Sequence, residues 1–293
     1  MKVGLAIALG ADSNHHSRTF IRAVNYSLDK FSCFRNVSLK IVNDKKTSEG
    51  GVIAAKELLQ WGAQVVVGHF SSIAAISAIP VYIDADIPLL LPASTSSLID
   101  EFNPASNNIF RYQKTNESLI SYCVDACKTQ HAEGRSYFLI QNNEYGNMMM
   151  MHIPPLSDVC VIRSLPARID KRDTFVVIGY SNFAAKIINQ LTEFQIEKLI
   201  LIDDADNPDV WKECLLSPAS KSRIRTTTHI CRHNSSEPFF NETLLALSLA
   251  TQFCMNGEDQ SAKEKNFNTY LGIQEFDRFN FYGDSYLIEE KIN

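Results

Sequence analysis

The 293-residue chain lacks any apolar run approaching the ~18–20 residues that cross a bilayer as a helix, which argues against membrane insertion. It has no excess of basic charge. The 28 Lys+Arg stand against 33 Asp+Glu, for a net charge of −5, without the positive footprint of a nucleic-acid binder. Cysteine is present but unpatterned: seven residues, an odd number, with no Cys-x-x-Cys. That set argues for reduced thiols rather than a secreted disulfide framework, and points to the cytoplasm. With 12 Gly, 10 Pro and no low-complexity segment, the chain is neither a collagen-like fibre nor a disordered tail. No Gly-x-Ser-x-Gly elbow, no Gly-x-Gly-x-x-Gly after a strand and no Walker sequence occurs, so the common nucleophile and phosphate signatures are missing.

What is present is a 45% hydrophobic chain of a length suited to two α/β lobes. Met1-Lys2 and the apolar Val3–Ala11 have the ingredients of a short signal peptide, but both regions are too short and no polar segment follows. Val3–Leu9 is therefore read as a buried first strand. Phe20, Val24, Leu28 and Phe31 recur at 4, 4 and 3 residues and predict a helix over Thr19–Phe31. Val37–Val42 reads as a strand, and Ser48–Trp61 as a helix stopped by Gly62. Val65–Val67 is a strand with both faces covered, followed by a helix over Ser72–Ile83 and a strand over Pro88–Leu91. A second series follows: helix Asn116–Lys128, strands Tyr137–Ile140 and Phe175–Ile178, helix Phe183–Leu191, strand Leu199–Ile202. Helices are also predicted over Glu242–Met255 and around Lys263–Leu271, while 146–172 is the least regular stretch. Repeated strand–helix–strand units imply parallel sheets with right-handed crossovers, hence two Rossmann-like lobes.

In open parallel sheets ligands bind beyond the carboxyl ends of the strands, so those loops are the candidate sites. After Val65–Val67 comes Gly68-His69-Phe70-Ser71-Ser72, two hydroxyls at a helix start, where free N–H groups and the helix dipole favour a carboxylate or phosphate. Helix capping by Ser71 or Ser72 is the structural alternative. After Pro88–Leu91 comes Pro92-Ala93-Ser94-Thr95-Ser96-Ser97. Three further loops are Gln141–Gly146, Gly179-Tyr180-Ser181 and Asp203–Asp206. A zwitterion fits this set: hydroxyls and N–H groups for its carboxylate, a carboxylate such as Asp204 for its ammonium, and Phe70, Tyr145 and Tyr180 as walls.

The ordered set Val-Val-Gly-His-Phe-Ser-Ser, Ile-Pro-Leu-Leu-Leu-Pro-Ala-Ser-Thr, Ile-Phe-Arg-Tyr and Asn-Glu-Tyr-Gly resembles the type I periplasmic-binding-protein family, in its leucine/isoleucine/valine-binding and amide-sensing branch. The resemblance covers roughly 3–146 and recurs at 175–191. It implies two Rossmann-like lobes joined by three crossovers, with hinge closure on a ligand in the cleft. Lobe 1 is placed at 1–114 plus 231–272, and a smaller, trimmed lobe 2 at 115–230 plus 273–293, its helix after Gly146 cut short by Pro154-Pro155. It further implies that Ser72, Ala93 and Thr95, with Phe70, Ser71 and Ser94 beside them, hold the α-carboxylate and α-amino groups. Tyr145, Tyr180 and an acidic residue, best matched by Asp204, supply the second lobe's contacts.

Other chemistry fits less well. His15-His16 lacks the i, i+4 spacing and carboxylate of a metal pair and reads as a solvated loop. His69 reads as a structural histidine, Met148–Met151 as packing, and Asp204-Asp206-Asp209 lacks the glycine and distal glutamate of a calcium loop. The expectation is a non-catalytic binder or sensor of an amino acid or related amide, without cofactor or metal, acting alone, as a homodimer or on a regulatory partner. The alternatives are an exported substrate-binding protein of an amino-acid ABC importer and a degenerate interaction protein.

Overall fold

A computed structural model describes residues 1–9, 15–105, 108–128, 134–202, 205–206, 208–214, 217–231, 239–256, 266–277, 280–281 and 287–292. The chain forms two compact units. Unit 1 comprises Met1–Thr115 and Glu237–Asp284, and unit 2 comprises Asn116–Ser236 and Ser285–Asn293.

In chain order, unit 1 begins β1 (Lys2–Ile7), α1 (His15–Lys30), β2 (Ser38–Asn43), α2 (Ser48–Trp61), β3 (Val65–Gly68), α3 (Ser72–Asp84), β4 (Leu89–Leu91) and β5 (Ile109–Arg111). Unit 2 runs α4 (Asn116–Lys128), β6 (Ser136–Ile140), α5 (Glu144–Met150), β7 (Val159–Ile162), β8 (Thr174–Ile178), α6 (Ser181–Leu191), β9 (Ile196–Ile202), α7 (Pro208–Glu213), α8 (Pro218–Lys221) and β10 (Ile224–Cys231). Unit 1 then resumes with α9 (Phe240–Asn256), β11 (Asn266–Thr269), β12 (Gly272–Asp277) and β13 (Asn280–Phe281), and β14 (Leu287–Ile292) returns to unit 2.

The two sheets share one winding. In unit 1 the order is β11-β12-β13-β5-β4-β3-β1-β2, and β2-β1-β3-β4-β5 are parallel throughout. In unit 2 the order is β14-β10-β9-β8-β6-β7, and β7-β6-β8-β9-β10 are parallel throughout. Each is a doubly wound 2-1-3-4-5 arrangement, with the direction of winding reversing between its first and third strands. The α/β fold with two parallel-sheet lobes is as the strand–helix alternation implies.

Alternation along the strands explains both cores. Val3, Leu5, Ile7, Val65 and Val67 face α1 and α9 through Phe20, Val24, Ala246 and Ala250. Ala6, Val66, Leu89 and Leu91 face α2 and α3 through Ala54, Leu58, Ala75 and Ile79. Leu139, Phe175, Val177 and Leu199 in unit 2 pack on α6, while Phe138, Ile140, Val176 and Ile200 pack on α4. Strands buried on both faces carry no polar–apolar period, and for that reason they read as continuous apolar runs. Thr47 caps α2 by accepting from the Gly50 N–H at 3.0 Å, and Gly62 ends it with φ +83°.

Three expectations are corrected. The segment 266–269 is strand β11 rather than helix, because its residues alternate out and in, with Phe267 and Thr269 buried, and Gly272 at φ +106° turns the chain into β12. Residues 263–265 of that predicted helix lie outside the described residues. The irregular 146–172 stretch contains β7, an edge strand only partly buried, which weakened its apolar signal. Finally, β12 and β13 join the unit 1 sheet, so residues 273–277 and 280–281 lie with unit 1 rather than with lobe 2. Helix α5 spans only seven residues and ends before Pro154-Pro155. No described helix is long and apolar enough to cross a membrane, and Cys33, Cys123, Cys127, Cys160, Cys214 and Cys254 are unpaired thiols.

Candidate functional site

The predicted site residues of unit 1 lie at the carboxyl ends of β3 and β4, with β3 itself flanking the point where the winding reverses. Gly68 ends β3 with φ +123°, and a Cβ there would stand 2.0 Å from the Ala6 carbonyl oxygen. Only glycine lets β3 turn toward α3 so close to β1. Ser71 occupies the N-cap position of α3 with extended backbone, yet its side chain makes no capping bond. The first-turn amides of α3 are therefore not closed off by their own cap.

Ser72 joins the two loops. Its Oγ accepts from the Thr95 N–H at 3.2 Å and the Ser96 N–H at 3.3 Å, and among the described residues its own O–H donates to none. The 92–96 loop is held from several sides. Pro92 O accepts from Gln113 Nε2 at 3.0 Å, and Ser96 O accepts from Arg111 Nη1 at 2.9 Å. The Arg111 fork also grips both Asp100 oxygens, at 2.8 and 3.0 Å. Ser94 is buried, and its hydroxyl donates to His69 O at 2.8 Å, so it braces the loop. Thr95 is also buried, but its hydroxyl has no partner among the described residues. A rigid loop with one uncommitted hydroxyl, beside an uncapped helix start, can accept a ligand's oxyanion without reorganising.

His69 is structural, as expected. It is wholly buried between Asp44 and Tyr82, with Nδ1 3.0 Å from Asp44 Oδ2 and Nε2 3.1 Å from Tyr82 Oη. Burial drives the Tyr82 phenol far above its ordinary pKa, so it is a donor at neutral pH. Each ring nitrogen of His69 thus has one buried partner, the Asp44 carboxyl on Nδ1 and the Tyr82 hydroxyl on Nε2. Phe70 packs edge-on against Phe20 at 5.0 Å and Phe239 at 5.9 Å. His16 is not in a solvated loop: it lies in the first turn of α1, 4.9 Å from the Phe239 ring and 6.5 Å from Phe70. Pattern reading missed it because the apolar period of α1 starts only at Phe20.

In unit 2, Tyr145 and Tyr180 follow β6 and β8, the two strands flanking that unit's reversal point. Their rings stack at 5.6 Å, inclined by 16°, and Tyr180 is 43% exposed. Two sequence-distant tyrosines are thus brought together. Asp204 lies outside the described residues. One polar residue was missed: Asn116, the first residue of α4, is wholly buried, and among the described residues neither of its amide atoms has a hydrogen-bond partner. An isolated Asn carries no sequence signal, since its lack of partners is a property of the packing. Among the described residues no group of three or more His, Cys, Asp or Glu side chains is gathered to hold a metal.

No family model matches the chain, and no curated protein matches it by sequence. Solved structures do. A leucine-binding protein of Thermotoga maritima is 14% identical with a TM-score of 0.68, over 100% of this chain and 95% of that one. A solute-binding protein of an ABC transporter from Rhodopseudomonas palustris, in complex with 3,4-dihydroxybenzoic acid, is 16% identical with a TM-score of 0.72, over 99% and 92%. A branched-chain amino acid transporter substrate-binding protein of Streptococcus pneumoniae, in complex with isoleucine, is 12% identical with a TM-score of 0.64, over 99% of both chains. At these identities the likeness is one of fold, and the fold is that of the type I periplasmic binding proteins.

Proposed function

We propose that this chain is a non-catalytic receptor for a small carboxylate-bearing molecule, an amino acid or a related amide. One observation carries the reading. Ser72 ties the 92–96 loop to the start of α3 while its own O–H and the Thr95 hydroxyl remain uncommitted, beside an α3 N-terminus that Ser71 leaves uncapped. This places two hydroxyl donors and free amides at strand ends, an arrangement suited to a carboxylate. In this reading Ser71, Ser72, Ala93 and Thr95 take the ligand, while Phe70 and Ser94 support them. Tyr145, Tyr180 and Asp204 are proposed as the ligand-contact residues of unit 2.

The test is thermal unfolding against a panel of amino acids, amides and small carboxylates, benzoates included. A ligand at a hundred times its Kd adds about 2.7 kcal/mol to the native state. The reading expects one chemical class to raise Tm; no shift with any class, in protein shown by mass spectrometry to carry no ligand, sinks it in favour of a degenerate interaction protein.

A second reading is favoured by the neighbours named above: the substrate-binding component of an ABC importer. The two differ in compartment. The unpaired thiols fit a reducing cytoplasm, whereas an importer component is exported, and cell fractionation decides between them.

A further inference from the structure

From the contacts around the unit 2 stack we infer that Gln141 and Arg163 are positioning residues that set the Tyr145–Tyr180 pair, and thereby the affinity of the receptor. The inference rests on the proposal that the stack meets the ligand. Tyr145 and Tyr180 are 35 positions apart on separate loops, and nothing in the two strands they follow dictates that their rings should lie within 16° of parallel.

Gln141 is the joint between the loops. Its backbone N–H continues the β6–β8 pairing onto Ile178 O at 2.9 Å. Its side-chain Oε1 then accepts from the Tyr180 N–H at 2.8 Å, fixing the backbone that carries the second ring. Gly179 permits this, since a Cβ there would lie 2.9 Å from both Gln141 Cβ and Oε1. On the other side the Gln141 carbonyl approaches Gly146 so closely that a Cβ at Gly146 would stand 2.0 Å away. The α5 turn bearing Tyr145 is thus packed directly on Gln141, and Asn143 caps it by accepting from the Gly146 N–H at 2.8 Å.

Arg163, just beyond β7, clamps the same turn. Nη1 donates to Gln141 O at 2.7 Å, and Nη2 donates to Asn147 Oδ1 at 2.6 Å. One planar guanidinium therefore holds both ends of the 141–147 segment, through two separate nitrogens in a fixed fork. The effect of Gln141 and Arg163 on the ligand passes through the geometry of the stack.

The test uses the full chain labelled with 3-fluorotyrosine, with the Tyr180 fluorine resonance assigned by Tyr180→Phe and its unstacked position read from Tyr145→Leu. Gln141→Met removes the acceptor, whereas Gln141→Glu keeps an oxygen in its place. Arg163→Met removes the fork. We expect the Tyr180 resonance to move toward its unstacked position in both Met variants and to stay at the native position in Gln141→Glu, with Tm within a few degrees of the parent in all three. A Tyr180 resonance unmoved in the Met variants overturns the assignment, and one that moves equally in Gln141→Glu and Gln141→Met overturns the role of the acceptor. No ligand is needed, so failure here is separate from failure of the receptor reading, which the thermal panel measures.

Discussion

Replacing His69 by leucine should be among the most damaging single changes in unit 1, although the residue meets no solvent. Leucine keeps the apolar bulk but leaves the Asp44 Oδ2 and the Tyr82 hydroxyl, both buried, without the partner that each has at about 3 Å. An unsatisfied buried polar group costs roughly 1–3 kcal/mol, more when charged. Asp44 retains the Lys46 N–H on its other oxygen, at 3.0 Å, which holds the total to about 3–4 kcal/mol. Trp61 closes α2 and packs on the same core layer as Tyr82, so its fluorescence, in a Trp211→Phe background, reports urea unfolding of unit 1 apart from unit 2. Tyr82→Phe should cost about 1 kcal/mol in the parent but nothing, or less than nothing, in the His69→Leu background, because it then removes an orphaned hydroxyl. A His69→Leu loss under about 1 kcal/mol, with Tyr82→Phe costing the same in both backgrounds, refutes the buried chain.

Gly68→Ala forces a Cβ to 2.0 Å from Ala6 O at φ +123°; strain and overpacking together should cost about 3 kcal/mol or more of stability, read as a lower urea midpoint with an unchanged slope, and an unchanged midpoint contradicts the close β1–β3 approach. Arg111→Lys loses the fork that holds Ser96 O and Asp100; we expect a loss of about 1–3 kcal/mol, seen as a lower Tm, and weaker ligand binding through the 92–96 loop. Alkaline pH should destabilise the fold, because burial raises the pKa of Tyr82, Tyr112 and Cys123, and pushes Cys127 up to about 11. Above about pH 8.5 the unfolded chain gives up protons that the native state keeps, so stability falls as pH rises, by roughly 1.4 kcal/mol per unit for each such thiol; a flat urea midpoint between pH 8 and 10 contradicts it.

Residues that obey a period were legible in the sequence. Helix α2 was readable to the residue because Gly62 marks its stop, and β1, β3, β6 and β8 because doubly covered strands are continuous apolar runs. The loops at their ends followed from the topology of open sheets. What was hidden depends on partners distant in sequence. Strands β11 to β13 add to the edge of a sheet built from the first 111 residues, and the out–in alternation of Asn266–Thr269 is short enough to be taken for part of a helix. The half-exposed edge strand β7 carried too weak an apolar signal. At the site, the hydroxyls of Ser71, Ser72 and Thr95 were visible as residue types, but the turning of Ser94 inward onto His69 was not. Nor were the Tyr145–Tyr180 stack and the stranded amide of Asn116, which come from packing rather than spacing.

The receptor reading stands most directly on the oxyanion site proposed at α3. Titration calorimetry, with the ligand class that raises Tm, compares the parent chain with Ser72→Ala/Thr95→Ala, both confirmed folded by circular dichroism. The result predicted is saturable one-site binding by the parent and its loss in the double variant, since each hydroxyl supplies a charge-assisted bond of about 1.5–3 kcal/mol. Equal affinity in the two proteins would contradict it.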